Sequence, residues 1–346
     1  MTFPAERKRA GRVARLVVTI AIVALAVLTG GEPASAHGGT DTDASNFLIT
    51  VTAPGDDGLD WRVYGGDALL ELTNRTGRPV TVVGYQDEPY LRFVPGDGIY
   101  ENLRSPATYL NQERSGVVDV PDDADADAAP QWQRVSTADT YGWHDHRAHW
   151  MSPDLPPRVA AEPDQRHEIN QWTISVQLDD GRTVEAAGTL SWVPPPPWWP
   201  PILAVGATFG AVLAAAAAWT RPGPERWPGL SRAVGALVVL IVVANLIRTI
   251  DDAAASPADS GTKIGITIVS MIALVAVTGL AAAGWSGYPI GFIALAAAAL
   301  LCGLLFASGS SGQLTASQLV TTLPTWVRRY TVSATYLLPV PAFAAA

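Results

Sequence analysis

The sequence predicts an all-β extracytoplasmic domain, an immunoglobulin-like antiparallel β-sandwich, followed by a four-helix α transmembrane bundle. Three observations predict it. Between His37 and Trp192 the apolar residues recur with a period of two in short runs bounded by turn residues, which is the pattern of half-buried strands. Beyond residue 200 four apolar stretches are each long enough, or nearly so, to cross a bilayer. Ahead of both lies a cationic and then apolar leader ending in small residues.

The leader comes first in the chain. Arg7, Lys8, Arg9, Arg12 and Arg15 precede the apolar run Leu16 to Leu28 and then Ala34-Ser35-Ala36, which reads as a secretory signal peptide over residues 1–36. The apolar part falls short of the roughly 20 residues a span needs, so cleavage after Ala36 is the expectation over an uncleaved anchor. The mature chain then begins at His37.

The exported domain is expected over 37–193. Runs 46–52, 59–64, 68–73, 80–85, 90–94, 173–178 and 183–192 supply the strands, and Asp56-Asp57-Gly58, Asn74 to Gly77 and Asp179-Asp180-Gly181 supply turns. The run Leu70 to Thr73, turning through Asn74 to Gly77 into Val80 to Val83, reads as the clearest hairpin. Two insertions break the rhythm, Gly96 to Val118 and the acidic stretch Pro121 to Pro130. The second has Asp123, Asp125 and Asp127 at alternate positions but lacks the Gly and closing Glu of a calcium loop, so it reads as a solvated loop.

A Pro/Trp-rich stalk, 194–200, separates this domain from the membrane, with Trp198 and Trp199 placed for the headgroup level. Transmembrane helices are expected near 202–220, 230–247, 264–283 and 290–307, within 201–307. The loop with Arg221, Arg226 and Arg232 is then cytoplasmic, as the positive-inside rule requires. The loop with Asp251, Asp252 and Asp259 falls outside, as does the tail 308–346, too polar and interrupted for a fifth span. The expected setting is therefore a multi-pass cell-membrane protein with its N-terminal domain extracytoplasmic. None of these helices carries an ionisable residue near its centre, so the bundle reads as an anchor or docking platform, with Asn245, Met271, Thr278 and Cys302 as packing residues.

Charge narrows the function. Residues 37–199 hold 26 Asp and Glu against 11 Arg and no Lys, more negative than the whole chain's net −9. Such a surface does not bind nucleic acid, which needs clustered cations. The single cysteine, Cys302, sits in an apolar run, so any metal must be held by nitrogen and oxygen. There is no Gly-x-Ser-x-Gly elbow, His-Glu-x-x-His helix, phosphate loop or dinucleotide glycine pattern, and the chain reads as a non-enzyme.

The strongest local signal is Trp143-His144-Asp145-His146-Arg147-Ala148-His149-Trp150-Met151. Three imidazoles in six residues suit a late first-row metal, and Asp145 either orients a ring or binds the ion itself. The same residues also make sense as a hydrogen-bonded polar corner between two core tryptophans. His167 reads as a solvated loop residue. A terminal His37 adds an α-amine and an imidazole, and with one more histidine completes a three-nitrogen set that favours copper, with zinc second. His37 is otherwise incidental to the cleavage site. Metal candidates are thus His37, His144, Asp145, His146 and His149.

Signal peptide, terminal histidine, cysteine-free acidic sandwich and C-terminal membrane segment together resemble the CopC and YcnI classes of copper-binding proteins. Ser105-Pro-Ala-Thr-Tyr-Leu-Asn111 and Trp143 to Trp150 look like an uncharacterised family of membrane-anchored proteins of high-GC Gram-positive bacteria. The CopC likeness implies a copper brace on His37 with a partner among His144, His146 and His149 and Asp145, where His144-Asp145-His146 stands nearest to that class's Asp-Gly-His. Its partners would be the bilayer and an envelope protein or copper transporter. Two alternatives accompany this expectation. One is a metal-free interaction module whose contact patch is Tyr141, Trp143, Trp150 and Trp172, and the other is a copper oxygenase.

Overall fold

The computed structural model describes residues 44–112, 118–219, 226–255, most of 264–279 and 312–337. They fall into two compact units. One runs to Pro196 and takes in Ala316–Val320, and the other begins at Pro197 and takes in Thr321 onward. The signal peptide, His37, Cys302 and the fourth span, 290–307, lie outside the described residues, and the third span is described only in part.

Among its described residues the first unit is sandwich-like and antiparallel, with ten strands in two sheets. β1 (Phe47–Ala53), β10 (Thr183–Trp192), β9 (His167–Leu178), β4 (Val80–Val83), β5 (Pro89–Val94), β6 (Gly98–Asn102) and β7 (Trp132–Ser136) form the larger sheet in that spatial order. β2 (Leu59–Tyr64), β3 (Leu69–Asn74) and β8 (Thr140–Trp143) form the smaller. Alternation along each strand sends one set of side chains inward, and that set is the core. Leu70 and Leu72 of β3 meet Val80 and Val82 of β4, Leu91 and Phe93 of β5, Ile174 and Val176 of β9 and Leu190 of β10, all buried. Trp143 and Trp172 are buried with them, 3% exposed each. Glycine makes room for the second, since a Cβ on Gly188 of β10 would occupy the space of the Trp172 ring.

The expected hairpin between β3 and β4 does not form. β3 already has neighbours on both edges, pairing Leu70 with Val63 of β2 and with Trp143 of β8, and β4 pairs with β5 and β9 in the other sheet. The Asn74 to Gly77 turn is instead a corner that carries the chain between sheets. The Asn74 side chain fixes it, donating to the Arg78 carbonyl at 2.8 Å and accepting from the Thr76 amide at 3.1 Å. Both insertions hold structure too: Gly96 to Val118 contains β6 and a short helix α1 (Pro106–Leu110), and the Pro121 to Pro130 stretch is a turn-rich loop whose Asp122, Asp123, Asp125 and Asp127 are exposed. A second short helix, α2 (Pro157–Ala161), precedes β9.

One late segment belongs to this unit. Gln318 exchanges backbone hydrogen bonds with Ser45 at 3.1 and 2.8 Å, the Ser317 amide donates to the Asn46 side chain at 2.7 Å, and the Ser317 hydroxyl donates to the Val193 carbonyl at 3.0 Å. Residues just before the first strand and just after the last are thus held by a piece of chain more than a hundred residues downstream.

In the second unit, α3 (Trp199–Trp219) and α4 (Arg226–Ala255) each contain a segment long and apolar enough to cross a membrane, Trp199–Ala218 and Arg232–Ala255. α3 matches the first expected span. α4 is longer than the second: its expected end near Ile247 is overrun because Arg248 and Asp251 are buried in the helix and not exposed in a loop. Their partners come from the tail. Asp251 accepts from the Thr321 hydroxyl and from the amide and hydroxyl of Thr322, and α5 (Thr325–Leu337) supplies Arg328, 3.2 Å from Asp251 and also bonded to Asp252. Asn245 behaves as the packing residue expected, bonding Thr335 at 3.0 Å.

Two outcomes follow from this packing. Arg328→Met leaves Asp251 buried without its cation, and should cost about 3–5 kcal/mol, seen as proteolysis within 321–337 of detergent-solubilised protein while the β unit resists. Burial alone raises the carboxyl of Glu101, on β6, from 4.5 to about 7. A folded-state pKa raised above its unfolded value gives stability that is complete below about pH 4.5 and disappears as pH rises through about 7. Chemical denaturation of Glu101→Gln at pH 5 and pH 8 should therefore show a flatter pH dependence than wild type, by at most about 3 kcal/mol.

Candidate metal centre

Three local features build the histidine segment. β8 delivers Trp143 into the core, and its indole N–H donates to Asp145 Oδ2 at 2.8 Å. Asp145 then caps a single 3₁₀ turn, His146–Ala148, by accepting from the Arg147 amide at 3.1 Å. The Arg147 guanidinium folds back on the same carboxylate, with Nε at 2.9 Å from Oδ1 and Nη2 at 2.8 Å from Oδ2, and reaches on to the Val83 carbonyl at 2.9 Å. Asn170 of β9 closes the turn by donating to the Arg147 carbonyl at 3.2 Å.

Asp145, expected to orient an imidazole or to bind an ion, has its oxygens engaged instead by Arg147 and Trp143. Both of its oxygens are committed to Arg147, one of them also to Trp143, and its side chain is wholly buried. Burial by itself would raise its pKa, but the Arg147 hydrogen bonds and charge outweigh it and hold the carboxyl below the usual range. The same pairing raises Arg147 against the lowering effect of its own burial.

The imidazoles do come together. His144 and His149 are buried, 7% and 4% exposed, with ring centres 3.9 Å apart and edge to face. The half-buried His146 ring lies 5.8 Å from that of His144, and stacks on Tyr85 at 6.1 Å. Tyr85 also accepts the His146 backbone N–H at 2.9 Å, bonds the Asn111 side chain and lies 5.0 Å beneath the Arg147 guanidinium. Burial, and then the Asp145 charge, push its phenol well above the normal range, so Tyr85 stays protonated. His167, at the start of β9, hydrogen-bonds the Glu162 carbonyl at 2.8 Å.

Sequence reasoning missed Asp67. The β2–β3 hairpin turns through Gly65 and Gly66, both at positive φ (61° and 81°), and these place Asp67 and Ala68 beneath the histidines. Asp67 is 1% exposed and its Oδ2 is 3.2 Å from His149 Nδ1, while the Ala68 carbonyl is 2.9 Å from His144 Nδ1. A carbonyl can only accept, so His144 donates to it from Nδ1. The carboxylate favours the same tautomer at His149. Carbonyl and carboxylate partners on one ring nitrogen are how metal-binding histidines are oriented through the other. Only the Gly-Gly turn hints at this in the sequence, and it lies far from residue 144.

Among the described residues, no three His, Cys, Asp or Glu side chains are already gathered as a metal set. What is present is a pair of oriented, buried imidazoles with a third beside them. The aromatic patch expected of an interaction module is not available as one, because Trp143 and Trp172 belong to the core. No family model, no curated protein and no solved structure matches the chain.

Because Asp145 ties β8, the 3₁₀ turn and, through Arg147, the end of β4, Asp145→Asn should lower thermal stability by about 3–5 kcal/mol by leaving Arg147 without its counter-charge. Circular dichroism melts read the loss. Amide exchange should speed up first at residues 144–149.

Proposed function

We propose that this chain is a membrane-anchored, extracytoplasmic metal-binding protein that handles a late first-row divalent ion, copper first and zinc second, without catalysing a reaction. The observation that carries the reading is the buried His144–His149 pair with His146 beside it, the Nδ1 atoms of the pair facing a carbonyl and a carboxylate as the rings of metal-binding histidines commonly do. Nitrogen donors with no thiolate suit Cu(II) and Zn(II). His37, exposed as a terminus once the signal peptide is removed after Ala36, would add the amine and imidazole that bring the donor count to three or more. Asp67 replaces Asp145 as the carboxylate of the centre.

In this reading the β unit is an immunoglobulin-like sandwich outside the membrane, joined through the Pro194 to Pro197 stretch to Trp198 and Trp199, residue types suited to a bilayer surface. α3 and α4 are the first two of four spans, joined on the cytoplasmic side through Arg221, Arg226 and Arg232. Its partners are the bilayer and an envelope protein, such as a copper transporter, that gives or takes the ion.

Full-length, signal-cleaved protein in detergent should bind one equivalent of Cu(II) or Zn(II) by titration against a chromophoric chelator. His144→Ala and His149→Ala should each weaken binding by about 10–100-fold, while His167→Ala leaves it unchanged. Wild-type protein that takes up neither ion would overturn the reading.

A further inference from the structure

Helix α5 runs back along α4 from that helix's end. Arg328 bonds Asp252, and the Asn245 side chain donates to Thr335 at 3.0 Å, so a step of seven residues along α5 matches a step of seven back along α4. The two helices are antiparallel and in register, and Tyr330 falls level with Ile250. Between Arg328 and Thr335 α5 advances about 10 Å beside its neighbour.

The surface of α4 changes character at this level. At its end stand Asp251 and Asp252, the second with its side chain 46% exposed. From residue 250 back to residue 239 the exposed side chains are Ile250, Ile247, Val243, Leu240 and Val239, all apolar. In a helix that crosses a bilayer, such a change marks the boundary between headgroups and hydrocarbon.

α5 presents two aromatic rings at that boundary. Its Arg328, Val332 and Thr335 are buried on one side, whereas Trp326 and Tyr330, a turn apart on the other, are 62% and 39% exposed with ring centres 6.1 Å apart, edge to face. Each is an apolar ring with a polar N–H or O–H at its rim, the side-chain type that favours headgroup level. Trp199, 52% exposed, opens α3, and the short link from α3 to α4 makes those helices antiparallel, which sets Trp199 at the same end as Asp252.

Resting on the reading that α3 and α4 cross the bilayer, we propose that α5 is an interfacial helix whose open face is occupied by phospholipid: Trp326 and Tyr330 are anchors in the headgroup region of the outer leaflet. The chain from Thr325 to Leu337 then lies in the membrane surface and not in water, and the anchors keep Arg328 seated on Asp251 and Asp252.

The test uses full-length, fluorotryptophan-labelled protein in phosphatidylcholine–phosphatidylglycerol nanodiscs. The fluorine NMR lines lost in Trp326→Phe and in Trp199→Phe identify the two residues. Lipid spin-labelled near the headgroup should broaden the Trp326 line about threefold more than lipid labelled at the chain end, and should broaden the Trp199 line too. Amide exchange over 325–337 should rise about tenfold in a Trp326→Ser, Tyr330→Ser double variant and stay within about threefold when both residues are Phe. A Trp326 line broadened by a water-soluble relaxation agent and not by lipid, or by neither, means that water or a protein covers the face and overturns the inference. Stronger broadening from the chain end, or unchanged exchange in the double Ser variant, also overturns it. In each of these cases a Trp199 line that responds to lipid leaves the membrane reading standing. If neither line responds to lipid, both fall.

Discussion

The Asp145 carboxylate is the constraint on which the histidine centre rests. It is wholly buried, and it accepts from the indole of Trp143, from the Arg147 amide and from two guanidinium nitrogens of Arg147. Removing such a charge from water is costly, and a buried ion pair seldom repays that cost in stability compared with a well-packed apolar pair. What it fixes is geometry. Arg147 reaches Asp145 and the Val83 carbonyl together from the capped 3₁₀ turn, and on that path His144 and His149 are buried. The three histidines are separated by one and two residues, and on this path neighbouring ring centres lie 3.9 and 5.8 Å apart.

The fold was partly legible in the sequence. Strands with long β-branched alternation, such as Phe47 to Ala53 and Thr183 to Trp192, stand where the pattern puts them, because burial of one face dictates it. β6, β7 and β8 were missed, since Gly98–Asn102, Trp132–Ser136 and Thr140–Trp143 are short and polar and become strands only through their neighbours. The β3–β4 hairpin failed for a related reason. A turn sequence specifies that the chain bends, whereas which sheet it rejoins is decided by pairing partners tens of residues away.

The site was legible to the same degree. Histidines clustered within six residues announce themselves, and the two tryptophans around them promised a partly buried setting. The sequence left Asp145 ambiguous between binding an ion and orienting an imidazole, and its pairing with Arg147, two residues on, was not read. Asp67 could not be found, because its meeting with His149 is made by a hairpin turn far upstream. The same blindness affected the helical unit. Arg328 and Asp251 read as charges of a tail and a loop, and each is buried against the other.

The donor set bears on which oxidation state of copper the proposed centre would prefer. Its described donors are imidazoles and a carboxylate, and Cu(I) favours thiolate and thioether sulfur. Met151 is the one sulfur close in sequence, and it lies beyond His149 and Trp150 on a segment that the Asp145 network does not hold. Histidine nitrogens placed by a rigid loop, with a carbonyl and a carboxylate orienting two of the rings, instead suit a divalent ion that keeps its charge through binding and release. Such a centre selects by ligand type and by the spacing of its rings. In the proposed centre that spacing would rest on the loop that Asp145 helps to hold, so a residue outside the donor set would shape its preference.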